Sequence, residues 1–279
     1  MSYIVPECCM KDKIVLITGS TDGIGRQTAL ELACRGAHVI LHGRNPERGK
    51  AAQEAIGAAS GNPQVDLLLA DLSSQRQIRH LADEIHEGYD HLDVLINNAG
   101  VNTTERTLTE DGLEMTFAVN YLAPFLLTYL LLDLLKKSAP SRIITVSSKA
   151  HMRTTLDFDN LQSEKNFNGS HAYALSKLGN ILFTFELAGQ LSGSGVTVNC
   201  LHPGVIDTKM MRLGFSYPHG ADVEKGAETP VYLATSPEVA NVTGQYFEDK
   251  RPAPTSPLSH DIALRKKFWA VSEQLCGIK

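Results

Sequence analysis

The sequence lacks the features that mark several specialised classes of protein. Its 279 residues include only five cysteines and no C-x-x-C pair, so neither a disulfide framework nor a zinc site is predicted. The densest basic run, Arg265-Lys266-Lys267, has three charges in a chain of net charge −5, which argues against binding to nucleic acid. The longest apolar stretch, Leu122–Leu135, contains Pro124 and Asp133 and is shorter than the roughly 20 residues that a bilayer helix needs. We therefore expect no metal, no nucleic acid and no membrane span.

The N-terminal segment gives no sign of export. Met1–Lys13 has no apolar core of signal-peptide length and carries Glu7 and Asp12, so a cytoplasmic location is expected. Hydrophobic residues make up 43% of the chain and charged residues 20%, which is typical of a folded globular protein. The length suits one large α/β layer structure as well as two small domains.

Short apolar runs alternate with longer helical patterns along the chain. Strands are predicted at Lys13–Thr18, His38–His42, Val65–Ala70, Leu92–Asn97, Arg142–Ser147, Val196–Leu201 and Gln245–Phe247. Helices are predicted at Ile24–Arg35, Pro46–Ala59 and Ser74–Glu87, within Glu110–Lys137, at Ala172–Leu191 and near Ser259–Leu275. Continuous apolar strands that alternate with helices are typical of a parallel sheet buried on both faces. The predicted fold is a doubly wound, Rossmann-type α/β sheet with helices on both faces, formed by residues 1–279 as a single domain.

Three loose segments interrupt this alternation, namely Lys149–His171, Thr208–Asp222 and the proline-rich Pro252–Pro257. Each follows a predicted strand, so each is expected at the carboxyl edge of the sheet, where open α/β folds bind ligands. Long irregular loops of compact domains are often functional. We expect the first two to shape a substrate pocket and to move more than the sheet. Lys209, Met210 and Met211 fit either a flexible substrate flap or an ordinary loop.

The first predicted strand ends in a glycine-rich turn, Thr18-Gly19-Ser20-Thr21-Asp22-Gly23-Ile24-Gly25, with the spacing G-x-x-x-G-x-G. A dinucleotide pyrophosphate binds at a helix N-terminus, where free N–H groups and the helix dipole favour anions. Glycines let the backbone turn sharply and approach the ligand. The motif therefore predicts a dinucleotide site, with an ordinary strand–helix turn as the alternative.

Further motifs occur in a fixed order along the chain. They are Asp71-Leu72, Asn97-Asn98-Ala99-Gly100, Asn120, Ser147-Ser148, the Tyr173-x-x-x-Lys177 pattern and Pro203-Gly204. Together with the glycine turn, this order resembles the short-chain dehydrogenase/reductase family, whose nucleotide motif is T-G-x-x-x-G-x-G. Other segments resemble its retinol-dehydrogenase-like branch, which also has a long segment between the catalytic serine and tyrosine. They are Ser138–Arg142, Asn160-Leu161-Gln162, Ser176–Leu187 and His202-Pro203-Gly204.

The resemblance implies a catalytic site of Tyr173, Lys177, Ser148 and Asn120. The family pattern places the serine second in Ser147-Ser148, implies that Lys177 also holds the nicotinamide ribose, and implies that Asn120 positions a proton-relaying water. It implies that the cofactor is held by Tyr173 and Lys177 together with Gly19, Ser20, Gly23, Ile24, Gly25, Asp71, Leu72, Asn98, Ala99, Gly100, Pro203, Gly204, Val205 and Thr208. It also implies a homodimer or homotetramer, in which the helices carrying Leu122–Leu135 and Tyr173 form the interface.

The chemistry of these side chains agrees with that assignment. Tyr173 and Lys177 are i and i+4, hence neighbours on one helix face. A free tyrosine titrates near pH ~10, and a nearby lysine cation is expected to lower the pKa of Tyr173 towards neutrality. Ser148 can hydrogen-bond a substrate oxygen. Each feature also has an ordinary structural explanation when it is considered alone. The tyrosine–lysine pair is compatible with an exposed helix surface, Ser148 with the end of a strand, and Asn120 with a helix residue that makes a local hydrogen bond.

The choice of cofactor depends on the end of the second strand. An acid there holds the ribose 2′-OH of NAD, whereas an arginine accommodates the 2′-phosphate of NADP. Gly43 stands where the family has the deciding residue, and Arg44 follows it with a planar cation suited to phosphate. We therefore predict NADP(H). Asp22 counts against it, since some NADP-preferring relatives have a basic residue there, and a solvated loop arginine is the alternative for Arg44.

The sequence thus predicts an NADP(H)-dependent oxidoreductase that interconverts a small-molecule alcohol and a carbonyl compound, with a lipophilic substrate in view. Because serine and tyrosine together polarise the oxygen, no metal is needed. His151, His171 and His202 lack partners at metal-ligand spacing and are interpreted as loop or hydrogen-bonded histidines. One alternative is a nucleotide-binding regulatory or redox-sensing protein of the same fold without turnover. Another, a sugar-nucleotide epimerase or dehydratase, is disfavoured by the spacing of the glycine turn.

Overall fold

A single mixed sheet organises the chain in the computed structural model, which describes residues 10–214 and 220–278. Its strands are β1 Ile14–Ile17, β2 His38–Gly43, β3 Val65–Leu69, β4 Val94–Asn97, β5 Ser141–Val146, β6 Val196–His202, β7 Gln245–Glu248 and β8 Arg251–Pro252. The order across the sheet is β3-β2-β1-β4-β5-β6-β7-β8. Strands β1 to β7 pair in parallel, and β8 pairs antiparallel with β7. The predicted parallel sheet is confirmed, with the short antiparallel β8 as an addition.

Ten α-helical segments lie in the described residues. They are α1 Gly23–Cys34, α2 Pro46–Ser60, α3 Gln75–Gly88, α4 Met115–Phe117, α5 Ala123–Leu130, α6 Leu132–Lys137, α7 Gly169–Gln190, α8 Lys209–Gly214, α9 Val223–Thr235 and α10 Ile262–Leu275. Each of the helices α2, α3, α7, α9 and α10 begins with an Asp, Asn or Ser side chain that accepts a hydrogen bond from a free N–H of the first turn.

The alternation of side chains along the strands creates two cores. In β1, Val15 and Ile17 pack with residues of α1, α2 and α9 on one face of the sheet. Ile14 and Leu16 pack with residues of α3, α5, α7 and α10 on the other. A period of two residues sends neighbours to opposite faces, so a strand buried on both sides must be apolar throughout. This explains why the strands read as continuous apolar runs.

The structure departs from the predicted elements in several places; among them, helix α8, Lys209–Gly214, lies within Thr208–Asp222, which was predicted as a loose segment. Helix α9 was not predicted, because Gly226 and Pro230 interrupt its pattern; Asp222 nevertheless caps it by accepting from the Lys225 N–H at 3.0 Å. The predicted helical region Glu110–Lys137 begins only at Met115 and contains a π-helical turn, Ala118–Leu122. The loop Lys149–His171 contains two short 3-10 helices, Lys149–Arg153 and Phe158–Asn160.

Two predicted segments extend beyond the described residues. Residues 1–9 of Met1–Lys13 and residues 215–219 of Thr208–Asp222 lie outside them. Among the helices that are described, none is long and apolar enough to cross a membrane.

Candidate active site

A cavity of about 620 Å³ opens at the carboxyl edge of the sheet, where the chain leaves β1 for β2 on one side and β4 lies on the other. In open α/β sheets this switch point is the usual ligand-binding crevice. Most predicted site residues line this one cavity. They are Gly19, Gly23, Ile24, Gly25, Arg44, Asp71, Leu72, Asn98, Ala99, Gly100, Ser148, Tyr173, Lys177, Pro203, Gly204, Val205 and Thr208. Ser20 and Asn120 lie behind the lining.

The glycine turn after β1 fits a closely approaching anion. Gly19 and Gly23 have φ of +64° and +55°, a region that other residues rarely adopt. A Cβ at Gly25 would lie 2.5 Å from the Gly19 carbonyl oxygen, so only glycine allows this close packing of the turn against α1. Helix α1 begins here, and its first N–H groups lack intrahelical acceptors. The turn therefore presents the cradle of N–H groups that a pyrophosphate requires.

Asn98 and Thr18 hold this turn in place. The Asn98 side chain donates to the carbonyl oxygens of Thr18 at 2.8 Å and Gly19 at 3.1 Å. The Thr18 hydroxyl accepts from the backbone N–H groups of Asn98 and Ala99 at 3.0 and 3.1 Å. Ser20 is fully buried, and its hydroxyl donates to the Ile17 carbonyl at 2.8 Å. Asn98 and Ser20, predicted as cofactor contacts, thus use their side chains to shape the turn.

Two arginine–aspartate pairs flank the end of β2. Arg44 is 71% exposed and lies 4.0 Å from Asp71, while the Arg48 guanidinium donates to Asp22 at 2.8 Å. Arg48 lines the cavity but was not predicted. Arg48 could have been predicted from the sequence, because Pro46 begins α2 and Arg48 lies in its first turn, four residues after Arg44. Both cations therefore face the same end of the cavity.

Gly43 is the last residue of β2 and directly precedes Arg44. A Cβ at this position would lie 2.5 Å from the Thr21 methyl group in the glycine turn. An acidic side chain, which would bind a ribose 2′-OH, therefore does not fit here without displacement of Thr21. The absence of an acid at residue 43 is a matter of packing as well as of sequence.

Tyr173, Ser148 and Lys177 meet at the other end of the cavity. The Tyr173 hydroxyl and Ser148 are hydrogen-bonded, and the Lys177 ammonium lies 5.5 Å from the centre of the Tyr173 ring. The ammonium donates to the Val146 carbonyl at 2.8 Å. Ser147, the alternative serine, is buried and donates its hydroxyl to the Lys177 carbonyl at 2.7 Å. Of the two serines, Ser148 is the one whose side chain is hydrogen-bonded to the tyrosine.

Burial changes the proton affinities of this pair. It raises the pKa of Tyr173 to about 12, although the hydrogen bond from Ser148 acts in the opposite direction. It lowers the pKa of Lys177 to about 8. The pKa of Tyr173 is therefore raised, opposite to the direction expected from its spacing to Lys177. Removal of the phenolate from water outweighs any attraction by the lysine, whose ammonium is directed to the Val146 carbonyl.

Asn120 lies in the π-helical turn, fully buried. Its side-chain oxygen accepts from the Val101 N–H at 2.7 Å, and its amide donates to the Val101 carbonyl at 2.9 Å and to the Ser176 hydroxyl at 3.1 Å. Ser176 in turn donates to the Tyr173 carbonyl at 2.7 Å. The asparagine side chain thus joins the strand β4 loop to the helix that carries Tyr173.

The wall beyond Tyr173 is largely apolar. It includes Val101, Met115, Val119, Met210 and Met211, with Arg153 and Lys149 at its rim. Lys149 is paired with Glu248 at 2.6 Å. Met115 and Val119 lie on the helical segment around the π turn, and neither was predicted because an apolar residue in a helix normally indicates core.

Of the nearby histidines, His151 is hydrogen-bonded as expected, whereas His202 ends strand β6 and its buried Nδ1 has no hydrogen-bond partner among the described residues. The imidazole of His151 donates to the Ser148 carbonyl at 2.6 Å, and burial lowers its pKa. Burial also lowers the pKa of His202 to about 4. The described residues contain no group of three His, Cys, Asp or Glu that could hold a metal ion.

Comparison with known proteins identifies the family. Residues 13–215 match the family model of the short chain dehydrogenases. Mouse retinol dehydrogenase 14 is 44% identical, over 96% of this chain and 87% of its own length. Human retinol dehydrogenase 13 is 43% identical, over 96% of this chain and 85% of its own length.

Solved structures agree with this assignment. A protein from Mycobacterium paratuberculosis is similar with a TM-score of 0.81 and 32% identity, covering 96% of this chain and 95% of that one. A short-chain dehydrogenase from Escherichia coli CFT073, complexed with NADPH, has a TM-score of 0.73 and 27% identity, covering 87% of this chain and 98% of that one. The predicted resemblance and the Rossmann-type fold are confirmed. The chain belongs to the short-chain dehydrogenase/reductase family, oxidoreductases of CH–OH groups that use a nicotinamide dinucleotide, and it is similar to the retinol dehydrogenases.

Proposed function

We propose that this protein is an NADP(H)-dependent oxidoreductase that interconverts a lipophilic alcohol and the corresponding carbonyl compound. The observation that carries the proposal is the arrangement of one cavity. Tyr173, hydrogen-bonded to Ser148 and close to Lys177, lies at one end, and Arg44 and Arg48 lie at the other. The glycine turn lies between the two ends. Such a cavity suits a dinucleotide whose reacting ring reaches the tyrosine.

Each side chain at the reacting end has a defined task in this proposal. In the direction of reduction, the Tyr173 hydroxyl gives its proton to the carbonyl oxygen, and Ser148 donates a hydrogen bond to the same oxygen. The Lys177 ammonium stabilises the phenolate that remains, and the buried Asn120 network holds helix α7 in position. Bound NADPH would supply the hydride. Oxidation of the alcohol uses the same groups in reverse.

The proposed cofactor-binding residues fit a dinucleotide. The turn Gly19–Gly25 and the first N–H groups of α1 would hold the pyrophosphate, while Asp71, Leu72 and Ala99 would border the adenosine half. Arg44 and Arg48 support a preference for NADP, since arginine pairs with phosphate through two parallel hydrogen bonds. The similar Escherichia coli protein complexed with NADPH supports the same choice. Asp22 already pairs with Arg48, so a 2′-phosphate would compete with this carboxylate.

The nature of the substrate follows from the apolar wall and from the relatives. Methionine side chains adapt to varied apolar ligands, and Met115, Met210 and Met211 line the reacting end. The relatives at 43–44% identity are named retinol dehydrogenases. A lipophilic primary alcohol or aldehyde is therefore the proposed substrate class.

The test is a panel of aldehydes, ketones and alcohols of increasing chain length, each assayed with NADPH or NADH by absorbance at the nicotinamide band. We expect turnover with apolar substrates and NADPH, and its near loss in Tyr173→Phe. Ser148→Ala should mainly reduce turnover, whereas Lys177→Met should also weaken cofactor binding. Binding of NADPH without turnover across the panel would favour the regulatory or redox-sensing alternative.

Three further predictions from the sequence accompany the proposal. We expect a homodimer or homotetramer, which sedimentation velocity measures. We expect a cytoplasmic location, which cell fractionation tests. We expect residues 1–279 to form a single domain, which one cooperative unfolding transition would indicate.

A further inference from the structure

His42, the next-to-last residue of β2, lies beneath the dinucleotide end of the cavity and has no part in the mechanism above. The residue is 3% exposed. The ring reaches across the carboxyl edge of three neighbouring strands. On the β1 side its Nδ1 lies 3.2 Å from the Gly19 N–H, and on the β3 side its Nε2 lies 3.1 Å from the Ala70 carbonyl oxygen.

These two contacts determine the form of the ring. The Gly19 N–H can only donate, so Nδ1 must be the acceptor, and the Ala70 carbonyl can only accept, so Nε2 must carry the proton. A second proton would set an N–H of the ring against the N–H of Gly19. The geometry therefore requires a neutral imidazole. Burial favours the same form and lowers the pKa of His42 to about 4, although the Ala70 contact and the Asp71 charge oppose it.

The backbone of His42 is tied to the same two segments. Its N–H donates to the Ser20 hydroxyl at 2.9 Å, and its carbonyl accepts from the Ser20 N–H at 3.0 Å. One residue later, the Gly43 carbonyl accepts from the Ala70 N–H at 3.1 Å. Side chain and backbone together connect the glycine turn to the segment that begins with Ala70 and continues into Asp71 and Leu72.

The two connected segments bind opposite sides of the adenosine half in the proposed function. The glycine turn would hold the pyrophosphate, and Asp71 and Leu72 would border the adenine ring. Gly19 has little room to adjust, because a Cβ there would lie 2.9 Å from the Ala99 Cα. A change in the distance between the two segments would therefore weaken binding of the dinucleotide, since small displacements of binding groups have large effects.

We propose that His42 is a positioning residue for the dinucleotide, which sets the glycine turn at a fixed distance from the adenosine-binding segment through its neutral ring. This inference rests on the proposed function, because it assumes that the cavity binds a dinucleotide. It predicts a defect in binding of the adenosine half and none in the chemical step at Tyr173.

The experiment compares His42→Leu, which loses both ring contacts, with His42→Asn, whose amide oxygen can still accept from Gly19. His38→Leu is the matched control, since His38 lies in the same strand but at its other end, paired with Asp66 at 2.6 Å. Titration with NADPH and with 2′,5′-ADP gives the dissociation constants, steady-state assays give kcat and KM, and thermal unfolding reports on stability. Imidazole nitrogen NMR of the native protein reports the tautomer of His42.

We expect His42→Leu to weaken NADPH and 2′,5′-ADP by about tenfold each, the loss expected of one or two neutral hydrogen bonds. KM for NADPH should rise by the same factor while kcat at saturating NADPH stays within about twofold. His42→Asn should recover most of the affinity, and His38→Leu should bind as the native protein does. The NMR spectrum should show the Nε2–H tautomer.

Several outcomes would overturn the inference. A folded His42→Leu variant with native affinity for both ligands would do so, as would a fall in kcat without a change in KM. If His42→Leu does not fold, His42→Asn is compared with His42→Gln, whose amide can reach Ala70 but not Gly19. Equal affinities of these two variants for NADPH would overturn the inference. Should the native protein itself bind neither NADPH nor NADH, the proposed function would fail, and this inference with it.

Discussion

The two edges of the sheet carry histidines of opposite character. At the carboxyl edge, burial is the main cause that lowers the pKa of His42, His151 and His202, so these rings are neutral near pH 7. At the amino edge, His38, His86 and His91 lie within 3.0 Å of an aspartate each, at or near the surface. Burial opposes the charged ring of His86, but Asp133 and the Ala82 carbonyl outweigh it and raise its pKa.

The difference teaches where this fold excludes water. At the carboxyl edge His42, His151 and Lys177 are buried, so their charged forms are disfavoured there, whereas Arg44 and Arg48 in the cavity lining are largely exposed. The amino edge binds nothing in the proposed function and remains hydrated, so its charges pair at little cost. The predictions below test this contrast, beginning with the largest expected effect.

Replacement of one tyrosine hydroxyl at each edge should separate chemistry from stability. Tyr173→Phe removes the transferable proton, and turnover should fall by roughly 10²–10⁴-fold with NADPH binding preserved. Tyr89→Phe is the control, because the Tyr89 hydroxyl donates to Asp66 at 2.6 Å at the amino edge. It should leave turnover unchanged. A Tyr173→Phe enzyme that works at a near-native rate would show that another group transfers the proton.

Acid should destabilise the protein through the carboxyl edge. The pKa of His42 and of His202 is about 4, below the ordinary value of 6.5, so the unfolded chain takes up protons that the native state does not. Native stability is therefore lost as the pH falls from about 6.5 towards about 4, by about 1 kcal/mol per pH unit for each ring. Urea unfolding of the native protein and of His202→Asn measures this slope. The same slope in both proteins would contradict the assignment to His202.

The arginines at the end of β2 should strengthen the binding of NADPH and have little effect on the binding of NADH. Arg44→Ala and Arg48→Ala should each weaken the binding of NADPH by about tenfold or more and the binding of NADH much less. The reason is that a hydrogen bond to a charged group contributes about 1.5–3 kcal/mol. Arg76→Ala serves as the control, because Arg76 is exposed on α3 and pairs with Glu110 at 3.7 Å outside the cavity. Equal losses for NADPH and NADH would refute the phosphate assignment.

The smallest effect is expected at the amino edge, with the opposite dependence on pH. The pKa of His86 is raised, so its pairing with Asp133 stabilises the native state fully below the ordinary histidine pKa and is lost as the pH rises through the raised value. The pair is partly exposed, so His86→Ala should cost about 0.5 kcal/mol near pH 5.5. Urea unfolding at pH 5.5 and pH 8.5 measures the difference. A larger cost at the higher pH would reverse the sign argued here.

Much of this edge was predictable because its residues follow apolar strands. Local patterns locate strand ends, and parallel strands bring their carboxyl ends together, so the glycine turn, Asp71, Asn98, Ser148 and Pro203 were expected at one edge, and they line one cavity. Helix α9 was missed because Gly226 and Pro230 break the local pattern. A Cβ at Gly226 would lie 2.8 Å from Ile24, so tertiary packing of α9 on α1 requires this glycine inside the helix.

The remaining features depend on contacts between distant parts of the chain. His42 meets Gly19 and Ala70 only because β2 lies between β1 and β3, and the apolar run around His42 indicates nothing more than a strand. The pKa of Tyr173 was predicted in the wrong direction because i, i+4 spacing gives proximity to Lys177 but not burial. The degree of burial depends on the whole fold.

The contact between residue 43 and Thr21 has a consequence for any change of coenzyme preference, in the laboratory or in evolution. An aspartate introduced at Gly43 alone would collide with the Thr21 methyl group, 2.5 Å from the new Cβ. Thr21→Ser removes that methyl group and is expected to be tolerated by itself. The two substitutions are therefore epistatic, and only the path that changes residue 21 first passes through a well-packed intermediate.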